Sequence, residues 1–177
     1  MGNELFGNTL FNIEEVEVLS IPSKTMLLEE GKIADKLYFI RKGCLRLFFY
    51  NEGKDITFQF FFEGDFVASF DSLYKGAPSL FSLESIEPSE VLFIKKKDFY
   101  SEIENNSSLR KLYEEKIIER FSFYQRLFLS RIKNTPQQRY EKLLKEYPNI
   151  IQRVPQHYIA SYLGITPVSL SRIRNRR

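Results

Sequence analysis

The stretch Val154–Arg174, VPQHYIASYLGITPVSLSRIR, reads as two short helices joined by a tight turn. Pro155 suits a first helical turn, where a missing N–H costs nothing. Ile159, Ala160 and Leu163 then share one face at steps of one, three and four residues. Gly164 follows where a helix end wants a residue tolerant of positive φ. Thr166-Pro167 supplies an N-cap hydroxyl and a proline at the first helical position. Leu170 and Ile173 form a second apolar stripe that points back at the first.

Small Ala160 fits the point where the two helices cross. The second helix keeps Val168, Ser169, Arg172 and Arg176 outward, with no acid among them. This pattern is that of a helix-turn-helix whose second helix enters a DNA major groove. An ordinary α-hairpin within a helical core is the plainer alternative. Charge supports the motif: residues 134–177 carry 8 Lys/Arg against 2 Asp/Glu, and residues 1–133 carry 18 against 21. A basic C-terminal quarter on an acidic body is the footprint of a phosphate-backbone contact.

Upstream of this stretch the pattern changes twice. Between Val16 and about Ile94, VEVLSI, TMLLEE, KLYFIRKG, LRLFFYN, DITFQFFF, LFSLESIE and SEVLFIK read as short strands, with Gly31, Gly43, Asn51-Glu52-Gly53 and Glu63-Gly64-Asp65 as turns. Strands this regular, with no amphipathic helix between them, predict a sandwich or a roll closed on itself. Phe48, Phe49, Tyr50, Phe58, Phe60, Phe61 and Phe62 are expected to fill its interior. Residues 4–12 read as a short helix or turn, and a short helix starts at Asp98. From Leu109 to Ile132, apolar residues at steps of three and four make a stripe over more than six turns, ended by Asn134-Thr135-Pro136. A further helix through Tyr140, Leu143, Leu144 and Tyr147 stops at Pro148 and leads by a short link to Val154.

The composition, 43% hydrophobic and 28% charged, describes a globular protein. No apolar run approaches the ~20 residues of a membrane helix, so no membrane contact is expected, and a lone Cys44 fits a reducing cytoplasm.

Strand roll, long helix and helix-turn-helix, in this order, resemble the Crp/Fnr family of bacterial transcription regulators. The resemblance spans nearly the whole chain and is carried by KLYFIRKGCLRLFFYNEGKDITFQFFFEGDF and YIASYLGITPVSLSRIR. It implies an α+β fold: an antiparallel, cyclic-nucleotide-binding-like jelly roll (1–106), a dimerisation helix (107–133) and a winged-helix-like helix-turn-helix domain (134–177). It also implies a homodimer through Leu112, Ile117, Phe121, Tyr124 and Phe128, and double-stranded DNA as partner. A small-molecule effector and RNA polymerase are left open as further partners. Thr166, Val168, Ser169 and Arg172 would face DNA, with Arg172 matching the family's late arginine, and Arg174 and Arg176 adding charge.

The chain also departs from the family pattern. Members that bind cyclic AMP carry a Gly-Glu pair and then an Arg-Ser pair that holds the cyclic phosphate. Here Gly64-Asp65 stands for the first and Ser79-Leu80 for the second, with Phe60 beside them in the candidate pocket. No arginine occurs between Arg46 and Arg110. A buried phosphate monoanion wants a fork of N–H donors or a fixed cation, and Lys75 lies in a turn, so cyclic AMP binding in the usual manner is not expected. Cys44 alone cannot ligate an iron–sulfur cluster. The sole histidine, His157, lies in the DNA-binding part, leaving the roll without a haem or cupin-type metal ligand. No cofactor, metal site or catalytic residue is therefore expected. A ligand-sensing module that acts through protein contacts alone is the alternative reading.

Overall fold

The computed structural model describes residues 18–175, and the expectation for 4–12, the start of VEVLSI and Arg176 lie outside them. Eight strands come first: β1 (Leu19–Ile21), β2 (Met26–Leu28), β3 (Lys36–Lys42), β4 (Leu45–Asn51), β5 (Lys54–Phe61), β6 (Phe66–Val67), β7 (Ser82–Ser85) and β8 (Ser89–Lys95), with helix α1 (Phe70–Lys75) between β6 and β7. They form two antiparallel four-stranded sheets, ordered β1-β8-β3-β6 and β2-β7-β4-β5. The sheets face each other over Ile21, Tyr38, Ile40, Leu45, Leu47, Phe61, Val67, Leu83 and Val91. The roll expected from the sequence is present, with one addition: a two-residue strand and a six-residue helix follow Asp65. Elements that short show no readable periodicity.

Strands β3 and β4 each bury four consecutive residues, Leu37–Ile40 and Leu45–Phe48, because both of their faces are covered there. The outer face of the first sheet, through Leu37 and Phe39, packs on α2 (Lys96–Asn105) and the start of α3 (Ser107–Lys133) by way of Phe99, Ile103 and Leu109. The outer side of the second sheet meets the C-terminal helices. This corrects the expectation for the aromatic residues. Side chains alternate along a strand, so Phe61 enters the interior while neighbouring Phe60 joins Tyr140, Ile159, Tyr162 and Leu163 outside it. Phe48 lies against Arg46 on the outer face, and Tyr50 is exposed.

Helix α3 starts at an Asn106 cap, whose side chain accepts from Leu109 N–H at 3.0 Å. Thr135 and Gln138 form a capping box at the start of α4 (Pro136–Glu146), with Pro136 in its first turn. Pro148 ends α4 and also opens α5 (Pro148–Arg153), so the expected link is itself a helix turn. Then come α6 (Gln156–Leu163) and α7 (Pro167–Asn175). Among the described residues no strand accompanies these helices, so the wing of a winged helix is not seen there. No described helix is long and apolar enough to cross a membrane.

Candidate nucleic-acid interface and sensor pocket

The turn between α6 and α7 is built as the sequence reading required. Gly164 takes φ 68°, its N–H meets Ser161 O at 2.9 Å, and Ile165 N–H reaches Ala160 O at 3.0 Å. Those two bonds are a Schellman motif. Thr166 Oγ1 accepts from Ser169 N–H at 3.1 Å and lies 3.0 Å from Ser169 Oγ. Ala160 is fully buried at the crossing, and Leu170 packs into the same cluster. The arrangement leaves Thr166, Val168, Arg172 and Arg174 exposed on one helix, with Ser169 half-buried because its hydroxyl joins the cap. His157 is exposed with its ring against Tyr158.

The sequence did not announce how firmly this unit is tied to the roll. Ser161 Oγ donates to Asp55 O and accepts from Thr57 N–H, at 2.9 and 2.8 Å, so α6 is hydrogen-bonded to the β5 backbone. Arg46 is 1% exposed. Its guanidinium donates to Glu84 at 2.7 Å, to Thr57 at 2.9 Å and to both oxygens of Asp55, and lies between the rings of Phe48 and Tyr158 at 4.0 and 3.8 Å. Burial opposes its charge, but its hydrogen bonds to Asp55 and the field of Glu84 outweigh that, and its pKa is raised.

Arg153, at the end of α5, makes a third tie by donating to both Glu63 oxygens, at 2.8 and 2.7 Å, and to Glu87. The Arg153 hydrogen bond, joined by Gly43 N–H, lowers the Glu63 pKa from 4.5 to about 2 against a smaller opposing effect of burial. A carboxylate held below its unfolded value stabilises the fold above pH 4.5, and that contribution is lost as pH falls towards 2. The urea midpoint is therefore expected to drop on acidification across this window. Glu63→Gln should flatten part of that drop, and an unchanged slope would remove the tie.

The candidate pocket residues are only partly brought together. Leu80 lines an apolar groove of about 660 Å³ between the second sheet and α3, with Phe49, Phe58, Phe81, Tyr124 and Phe128. Phe60 turns to the junction instead, its ring 5.4 Å from that of Tyr162. Gly64 and Asp65 form a turn in which Asp65 accepts from Phe62 N–H at 2.9 Å. Ser79 is buried and donates to Phe81 O at 2.6 Å. Both arginines of the strands are accounted for: Arg41 is exposed and Arg46 is held by carboxylates. The groove's aromatic lining was invisible in the sequence because those residues match any strand core.

The long helix divides its apolar residues between two faces. Leu112 packs against the first-sheet core, and Tyr124 donates to Gln59 at 2.8 Å, so both belong to the roll side. Ile118, Phe121, Phe128 and Ile132 are each between 61% and 67% exposed, on a face that Ile117 and Leu129 widen. Among the described residues no group of three or more His, Cys, Asp or Glu is placed to hold a metal ion.

The family model for the cyclic nucleotide-binding domain matches residues 13–106, more than half of the chain. The chain belongs to that family. No curated protein matches it by sequence. Solved structures match over nearly its whole length: FixK2 from Bradyrhizobium japonicum at 19% identity and TM-score 0.77, covering 91% of this chain and 83% of its own. The c-di-GMP-responsive global regulator CLP from Xanthomonas campestris follows at 15% identity and TM-score 0.75, covering 98% and 90%. A transcriptional regulator assigned to the Crp/Fnr family from Eubacterium rectale matches at 15% identity and TM-score 0.74, covering 97% and 82%. Roll, long helix and C-terminal helices thus follow the architecture of Crp/Fnr regulators.

Proposed function

We propose that the chain is a DNA-binding transcription regulator that works as a homodimer and has no catalytic activity. The observation that carries this is the face of α7. A Schellman turn and a capping hydroxyl fix the helix, and it presents Thr166, Val168, Arg172 and Arg174 with no acid beside them. Arg172 is suited to bidentate contact with a guanine and Val168 to a thymine methyl. Thr166 and Ser169 suit phosphate contacts, and Arg174 adds charge.

The heptad-like face of α3 supports the dimer. Ile118, Phe121, Gln125, Phe128 and Ile132 are spaced three, four, three and four apart, as in a two-helix seam, with one polar residue to set register. Leu112 and Tyr124, expected in that seam, are replaced there by Ile118 and Ile132. The roll would sense a small effector in the apolar groove. The groove is walled by Phe49, Phe58, Phe81 and Phe128, with Arg131 also in its lining, and so suits a molecule with a large apolar part.

The experiment is selection of duplexes from a random DNA pool by the purified protein. A two-fold symmetric motif with half-sites about 10 base pairs apart is expected. Absence of enrichment, with and without cyclic nucleotides, would move the reading to a module that acts through protein contacts. On the selected site, Arg172→Ala should weaken binding by about 1–3 kcal/mol and relax one base position. Equal weakening on all sequences would make Arg172 a phosphate contact.

A further inference from the structure

Between α1 and α3 lies a second cavity, of about 320 Å³, which adjoins the apolar groove and shares Phe58, Leu80, Phe81 and Tyr124 with it. The rings of Phe58 and Phe81 stack at 4.7 Å and form the common wall. Along α3 the two cavities together reach from Arg120 to Arg131. Those residues are eleven positions apart, a span of about 16 Å along a helix.

The second cavity differs from the groove in its polar groups. Ser69 lines it and is only 5% exposed, yet its hydroxyl makes no hydrogen bond, not even as a cap to the adjoining α1. Buried hydroxyls are nearly always paired, so this one calls for a partner. Ser72 shows the contrast, since its hydroxyl accepts from Ala34 N–H and donates to Ala77 O. Arg120 is half-buried, donates to Phe66 O at 2.9 Å, and holds its guanidinium 4.9 Å from the Phe61 ring. Asp65 feels its charge, but Arg120 forms no ion pair with a described carboxylate. Asp71, the one acid in this lining, pairs with Lys75 at 2.5 Å.

A guanidinium and a hydroxyl side by side match the two oxygens of a carboxylate, which takes its strongest hydrogen bonds from charged donors. Beyond them the passage is apolar. Phe49, Phe58, Leu80, Phe81 and Phe128 wall the groove, and no acid lines it. A polar end that opens into an aromatic passage is the imprint of an amphipathic molecule.

We propose that these joined cavities take a long-chain carboxylic acid. Its carboxylate accepts from Ser69 Oγ and from the remaining N–H donors of Arg120, and its chain passes Phe58 and Phe81 into the groove. Arg131, at the far end, donates to Tyr162 O at the close of α6. A chain that fills the groove therefore meets a side chain that also holds the helix-turn-helix. This identity of the occupant rests on the reading of the groove as an effector site.

The test is calorimetric titration of the full chain with decanoate and with decanol, the neutral molecule of equal chain length. Decanoate is expected to bind at one site per chain, and decanol at least about tenfold more weakly. Arg120→Gln should erase that difference and leave the affinity for decanol unchanged. Ser69→Ala breaks no side-chain hydrogen bond of the fold and should weaken decanoate about threefold. Leu80→Glu, at an exposed position on the shared wall, should abolish binding of both. Equal affinity for acid and alcohol, or a difference that survives Arg120→Gln, would overturn the carboxylate contact and leave the groove as an apolar effector site. Binding of neither, or binding that persists in Leu80→Glu, would overturn the effector site with it. DNA selection is read separately, so none of these failures touches the regulator reading.

Discussion

Arg46→Ala is expected to destabilise the fold by about 3–5 kcal/mol, the range for removing one partner of a buried ion pair. The guanidinium is almost fully buried and balances Asp55 and Glu84. Its removal leaves Glu84, itself only 7% exposed, as an uncompensated charge. It also strips the cation from between Phe48 and Tyr158, loosening α6 from the roll. For a chain of this size the melting temperature should fall by on the order of 10 °C. Arg46→Met combined with Glu84→Gln should recover part of the loss, because a neutral replacement of the pair no longer strands the buried Glu84 charge. Urea unfolding of the three proteins decides it. A single substitution that costs less than about 1 kcal/mol would place Arg46 with ordinary exposed ion pairs.

Phe121→Glu is expected to turn the proposed dimer into a monomer. Phe121 sits at the middle of the exposed seam on α3, 61% exposed in a single chain, between Ile118 and Phe128. In a paired helix the substitution brings two carboxylates into an apolar contact, with an expected loss of about 2–4 kcal/mol, or roughly 30- to 800-fold in dissociation constant. Sedimentation velocity at micromolar protein should show one species at the monomer mass. Folding should be unaffected, because Phe121 belongs to none of the buried clusters of the fold. A persistent dimer would remove α3 as the seam.

What was legible in the sequence was what is settled locally. Gly164 and Thr166-Pro167 announce the helix-turn-helix because caps act over three or four residues. Strands announced themselves through β-branched and aromatic runs, yet their faces stayed hidden. LRLFFYN is apolar on both faces because the opposing sheet covers one and the C-terminal helices approach the other. Arg46 was unreadable for the same reason, since its partners Glu84 and Tyr158 are distant in the chain and are met only after folding. The stripe on α3 mixed two faces: periodicity found its apolar residues, but it could not tell that the roll would claim Leu112 and Tyr124 and leave Phe121 and Phe128 exposed. In the candidate pocket, Gly64 and Asp65 lie in a turn and Ser79 in the loop before β7, while the groove that Leu80 lines is mostly aromatic and reads in the sequence as strand core.

The tie between α6 and β5 has a consequence for how the chain can be divided. The C-terminal helices form too small a unit to bury a core of their own, and helical fragments near 40 residues seldom fold unaided. Cys44, Phe60 and Ile86 of the roll belong to the same cluster as Leu143, Ile159 and Leu170. The second sheet is therefore the missing floor of the helical unit. A fragment cut at the bend after α3 should be unfolded in isolation, and a chimera that grafts these helices onto another roll would have to import that floor along with them.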